Sequence, residues 1–352
     1  MKKYVFFLLF PFLVSCMETS KKSDRGEVIV INDFKGKKLC LSDFVEDVNF
    51  YNLETDSFVV GEIKDLCIYD SLLFFIDNLT SNLVVYDLYS HSISFSVNYQ
   101  GNGPFEYVRP HALCVDEHCL YLLDSSSRKI ISYNHSLKPQ NEIRMDFAAF
   151  DFIKVENGFL LCSVLPEPTL DYKKVIYMNM SGEIYDSYIH THQFGMTLGK
   201  NFVRGKDGTI YVCIPYSNQI YNWSKEDLYE FCYTDFGHLN VPLDDTVEDL
   251  SYYDSDYIHN NNFFVTSSYF INAFLYNGKM HYHFKENDTE KTFSGIIVDE
   301  KYGLPFFPRW QYEDKLIGIC RLEELPETCK ANLNMDDMEG MLVLIFNMKK
   351  NI

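Results

Sequence analysis

Three groups of residues have types and spacings that could do chemistry. The stretch GNGPFEYVRP, Gly101 to Pro110, sets two glycines and a proline ahead of Glu106, Tyr107 and Arg109. A glycine loop holds phosphate when a strand precedes it and a helix starts at it, because the helix amides then point at the anion. Pro104 and Pro110 interrupt any such helix, so the stretch reads as a corner between sheets. Its glycines are expected to supply positive φ and close packing, and Pro104 to stiffen the turn. Two His-x-His pairs, His190-Thr191-His192 and His281-Tyr282-His283, place both imidazoles on one strand face. A metal site needs a further ligand, and no HExxH or equivalent carboxylate pattern accompanies them, so no metal or cofactor is expected. Asp244-Asp245 and Asp254-Ser255-Asp256 lack the alternating ligands and closing glutamate of a calcium loop. There is no GxSxG elbow, and in so acidic a chain no glycosidase pair of carboxylates stands out. Recognition is the chemistry that remains. Aromatic plates beside charged groups suit sugars or peptides, and the candidates are Glu106, Tyr107, Arg109, Arg128, Phe307, Arg309 and Trp310. The opposing reading is that the aromatic rings pack between sheets and the two arginines Arg109 and Arg309 pair with acids.

These residues need elements to position them. Aromatic residues are 16% of the chain and long helical patterns are scarce, which favours strands. One phrase recurs: an apolar strand ending in a small or acidic residue, a polar turn, then a second apolar strand. It appears as SLLFFIDNLTSNLVVYD from Ser71 and HCLYLLDSSSRKIISYN from His118. It returns as NGFLLCSVLPEPTLDYKKVIYMN from Asn157 and DGTIYVCIPYSNQIYNW from Asp207. A looser copy, NNFFVTSSYFINAFLYNGKMHYHF, starts at Asn261, and EDKLIGIC at Glu313 finds its outer partner in MLVLIFNMK. A period of about 40–55 residues built from short strands marks a propeller blade, and six passes predict six blades. The fold class is therefore all-β, a six-bladed β-propeller. The segment DVNFYNL, Asp47 to Leu53, is expected to close the ring by joining the last blade. Ligands of such a ring sit at the channel mouth, where loops between blades meet the turns between second and third strands.

The second pass resembles the NHL-type propeller repeat at Gly101, Gly103, Pro104, Tyr107, Pro110, Val115, Asp116, Tyr121, Asp124, Arg128, Ile130 and Tyr133. In that repeat the glycine-proline turn leads into the innermost strand. The chain as a whole is similar to six-bladed propeller lipoproteins of Bacteroides type, through the GxGPxEY corner, YGLPFFPRW (Tyr302 to Trp310) and the EELPETCKANLNMDDMEG insertion.

The opening MKKYVFFLLFPFLVSC has a basic head and an apolar run of about a dozen residues, the form of a secretory leader. Leu13-Val14-Ser15-Cys16 resembles the bacterial lipobox, which implies lipid attachment at Cys16 and a place in the cell envelope. The expected organisation is a leader over 1–16, a flexible tether over 17–30 and the propeller over 31–352. A net charge of −19 repels phosphate backbones and argues against nucleic acid as a partner. Nine further cysteines show no CxxC spacing, so most read as free thiols buried in apolar strands, and Cys114 with Cys119, flanking a hairpin, is the only pair to test for a bridge. The functional expectation is a lipid-anchored binding or scaffolding protein for a glycan, a peptide or an envelope complex, with no catalysis. The alternative is a propeller lyase or hydrolase acting at the same mouth, which convergence of His190, His192 or His281 would favour.

Overall fold

The apolar runs fold as strands, and the strands sort into six separate sheets. The computed structural model describes residues 26–350 apart from 55–57, 165–167, 192–198, 242–256, 259, 334 and 336–338. First come β1 (Glu27–Val30), β2 (Lys38–Cys40), one helical turn α1 (Leu41–Phe44) and β3 (Val45–Asn52). Blade one is β4 (Ile63–Tyr69), β5 (Leu72–Asp77), β6 (Asn82–Asp87) and β7 (Ser92–Val97). Blade two is β8 (Pro110–Val115), β9 (Leu120–Asp124), β10 (Lys129–Tyr133) and β11 (Pro139–Arg144). Blade three is β12 (Ala149–Val155), β13 (Gly158–Ser163), β14 (Lys173–Asn179) and β15 (Ile184–His190). Blade four is β16 (Phe202–Arg204), β17 (Ile210–Cys213), β18 (Gln219–Ser224) and β19 (Asp227–Asp235). Blade five is β20 (Asn260–Val265), β21 (Tyr269–Tyr276), β22 (Lys279–Glu286) and β23 (Thr292–Val298). Blade six is β24 (Pro308–Tyr312), β25 (Lys315–Arg321) and β26 (Met341–Met348), with α2 (Glu327–Leu333) inserted before β26.

First strands of different blades touch one another: β4 meets β8 and β24, β8 meets β12, and β16 meets β12 and β20. They therefore line the axis of a six-bladed propeller, as the repeats predict. Closure also follows expectation, with β3 antiparallel to β26 from Asn52 against Leu342 to Val45 against Met348. The N-terminal segment does more than close the ring. β1 adds a parallel fifth strand to blade four beside β19, and β2 does the same for blade five beside β23. This corrects the tether boundary, because Glu27–Val30 is paired strand, while residues 1–25, including Cys16, lie outside the described residues.

Second and third strands of blades one to three are buried on both faces, since neighbouring blades cover them. Between blades one and two, Phe74, Val85, Leu122 and Tyr133 share one apolar cluster. Each such side chain taken from water contributes about 1.5–3 kcal/mol. The acidic residue ending the second strand has a defined task. Asp77 accepts from the backbone N–H groups of Glu62 and Leu79, each at 3.1 Å. Asp124 does the same for Val108 at 2.7 Å and Arg109 at 3.3 Å. Each ties the loop entering its blade to the turn behind its second strand.

Candidate functional site at the central channel

GNGPFEYVRP forms the corner between blades one and two. Gly101 N–H donates to the Tyr107 carbonyl at 3.0 Å, and Tyr107 N–H donates to the Tyr99 carbonyl at 2.9 Å. Glu106 folds back so that its Oε2 accepts from Gly103 N–H at 2.7 Å. Neither glycine takes the expected positive φ; that conformation falls on Phe105, at 61°. The glycines are needed for proximity, because a Cβ on Gly101 would lie 2.0 Å from Glu106 Oε2.

Tyr107 is fully buried and its hydroxyl donates to the Ser81 carbonyl at 2.8 Å, so its ring stitches the corner and faces no ligand. Trp310 is 4% exposed and its Nε1 donates to Asp65 at 2.6 Å, which likewise removes it as a stacking surface. The type of these side chains suggested platforms; Tyr107 is core, and the Trp310 ring is buried between Asp65 and the Arg309 guanidinium. Arg128 is exposed in the β9–β10 turn and donates to the Asp146 carbonyl at 2.9 Å. Arg109 is exposed at the mouth, Phe307 is 39% exposed, and the Arg309 guanidinium lies 4.6 Å above the Trp310 ring.

The innermost strands share a device that the sequence did not announce. A β-bulge interrupts the pairing between Ile63 and Asp65, Pro110 and Ala112, Ala149 and Asp151, Asn260 and Asn262, and Pro308 and Trp310. Bulges re-aim side chains near functional sites. Here they fall where each first strand begins, the end of the channel called the loop face below. The residue after the bulge is Asp65 in blade one and Asp151 in blade three. Lys200, entering blade four, reaches across the lumen to both, at 3.0 Å from Asp65 Oδ2 and 2.6 Å from Asp151 Oδ1. Asp65 also accepts from Leu113 N–H of blade two at 2.6 Å and from Trp310 of blade six. Asp151 accepts from Asn201 N–H at 2.6 Å. Burial opposes the Lys200 charge, yet Asp151 and Asp65 together hold its ammonium above the ordinary lysine range. Two acids share one cation, so burial and Asp65 push the Asp151 carboxyl up. Blade five joins through Asn262, whose side-chain amide donates to the Arg309 carbonyl at 3.3 Å.

Lys200, Arg309 and Trp310 form the floor of a cavity of about 670 Å³. Its walls include Cys67, Cys114, Phe202 and Phe264, and its rim carries Glu117, Glu156, Lys206 and Glu313 from the turns between first and second strands. The expected mouth was the opposite, loop face. This cavity opens on the hairpin face, and the Lys200 bridge lies towards the loop face. A second groove, between the outer parts of blades three and four, is lined by Tyr177, Tyr185, Tyr188 and Glu226. There Glu226 is held by Asn157 at 2.7 Å and Tyr177 at 3.1 Å, which pushes the Tyr177 hydroxyl, already raised by burial, up to about 12.

Among the described histidines, His190 lies in blade three and His281 and His283 in blade five, so they do not converge. His190 ends β15 at the outside of blade three, and His192 lies outside the described residues, as do the acidic pairs at 244–245 and 254–256. His281 stacks on Phe274 at 5.7 Å, and His283 Nδ1 lies 2.7 Å from Ser294 Oγ, both inside blade five. Among the described residues no cluster of three metal-ligating side chains occurs. Cys114 and Cys119 are free thiols; the Cys114 sulfur faces blade three and accepts from Lys154 N–H at 3.3 Å. No helix among the described residues is long and apolar enough to cross a membrane.

Comparison with known proteins now fits this geometry. Residues 27–351 match the family described as a domain of unknown function, DUF4934. The chain belongs to that family. No curated protein matches it. Among solved structures, a protein of Bacteroides fragilis described as exported superposes with a TM-score of 0.76 at 17% identity, over 92% of this chain and 100% of that one. A DUF4221 member from Bacteroides vulgatus gives 0.55 at 10% identity, over 88% and 98%. Both establish the propeller fold shared with this DUF4934 chain. Lys64, Asp65, His111, Asp151 and Lys200 escaped the sequence reading. The available signal was a lone charge inside an apolar run, as in IKDLCIY and AFDFIKV.

Proposed function

We propose that this chain is a lipid-anchored binding protein of the cell envelope, which seats a segment of glycan or peptide in its channel and performs no catalysis. The supporting observation is the channel cavity of about 670 Å³, which combines aromatic and apolar walls with a charged rim, the lining that binding sites use to hold and orient a ligand. The envelope address and the anchor at Cys16 rest on the leader and lipobox. Glycan and peptide arrays probed with the full chain are expected to give hits that Val115→Trp weakens about tenfold by filling the cavity wall, with little change in melting temperature. Hits untouched by that substitution would move the ligand out of the channel. Cys16→Ser is expected to release the protein from the membrane fraction, and retention of the variant would remove the anchor.

A further inference from the structure

We propose that the loop face of the channel recognises the single carboxylate of an acidic sugar, with Lys64, Arg109 and His111 as its contacts. This goes beyond the binding function proposed above: it adds a second site on the loop face, across the Lys200 bridge from the cavity that carries that function.

The bulges of three adjacent blades, six, one and two, carry Arg309, Lys64 and His111 to one side of the mouth, and Arg109 stands two residues before His111. The carboxylates facing them are already occupied. Asp124 is filled by the amides of Val108, Arg109, Ser126 and Ser127. Glu62 holds the Asn78 side-chain amide at 2.8 Å, and Asp65 is filled by Leu113, Trp310 and Lys200. Among the described residues, no hydrogen bond or ion pair engages the side chains of Lys64, Arg109 or His111. Unspent donors therefore gather beside carboxylates that already hold other donors.

Gathering them costs free energy in the unliganded protein. Burial, and then the like charge of Arg109, lower the Lys64 pKa. Burial, and then Lys64, with Lys200 and Arg109 adding and Asp65 opposing, depress His111 to about 4. An anion at this point relieves the repulsion and returns a proton to His111. Among the described residues that face this cluster, the cations Lys64, Arg109, Arg309 and Lys200 are matched in number by Glu62, Asp65, Asp124 and Asp151, so protonation of His111 adds one positive charge. One added charge favours a carboxylate over a phosphate dianion.

The carrier is argued from what else the mouth offers. Peptide C-termini are caught by nests of backbone amides. Here the amides of Gly103, Phe105 and Val108 are committed to Glu106, Glu142 and Asp124. An exposed ring remains: Phe307, 39% exposed, gives a flat apolar face of the kind against which a pyranose lies.

The test is calorimetric titration of the full chain with a galactose trimer carrying one terminal galacturonic acid, a neutral galactose trimer and a short peptide with a free C-terminus. The acidic trimer is expected to bind at least about tenfold tighter than either alternative, and Lys64→Met or Arg109→Gln to weaken it about tenfold with unchanged melting. Binding is expected to tighten between about pH 7 and about pH 5 with proton uptake, and His111→Asn to abolish that dependence. The proposal falls if no acidic trimer binds, if the neutral trimer or the peptide binds as tightly, or if Lys64→Met binds like wild type. Array hits confined to neutral or peptide probes and lost in Val115→Trp overturn this ligand class while leaving the binding function intact.

Discussion

Lys200 shows how one side chain can hold a ring together. Its ammonium sits between two carboxylates from other blades, and those carboxylates take backbone amides from others still. Lys200→Met is expected to cost about 3–5 kcal/mol in urea unfolding, because it strands Asp65 and Asp151 as buried charges without a cation. Adding Asp65→Asn and Asp151→Asn to that variant is expected to recover part of the loss; no recovery would mean that the charges are not what binds the blades. At this scale the sequence was only partly legible. Residue type singled out Arg109, Arg309 and Phe307, which do reach the mouth, but it also promoted Tyr107 and Trp310, whose rings are core. Type states what a side chain can touch, and only register decides which face it is on.

Register was readable for some strands and hidden for others. The repeated phrase lands on second and third strands in five blades, β5–β6, β9–β10, β13–β14, β17–β18 and β25–β26, and on the first three strands of blade five. Those central strands are sandwiched between blades, so they read as unbroken apolar runs, as in LLFFID. Outer strands such as SISFSV are largely exposed and carry no such mark. First strands are short and bulged, which breaks the alternation that would announce them. β1 and β2 are three or four residues long, below what a pattern can show. The closing strand carries the stability argument. Removing the chain through Cys40 strips β1 and β2 but keeps β3, and is expected to leave a folded monomer with a lower melting temperature. Removal through Asn52 exposes the edge of β26 and is expected to give aggregation on size-exclusion chromatography. A monomer from the longer truncation would show that closure is dispensable.

The ring as a whole buries histidines along with its apolar surface, and this gives it a pH response. Burial lowers His111 and His283 from 6.5 to about 4, helped by Lys64 for the first and Lys285 for the second. Both are neutral when folded and take up protons on unfolding within that window, so the unfolded state binds more protons there. Stability is expected to be intact above pH 6.5 and to fall as pH drops toward 4. Melting curves across that range check the direction, and His283→Asn is expected to flatten part of the slope. An unchanged slope would show that blade five tolerates the charge. The bridge of Lys200 has a last consequence for what such a ring can hold. A spar across the bore turns a tube into two blind cups, set back to back. A polymer cannot be threaded through, so whatever enters the hairpin-face cavity must leave by the way it came.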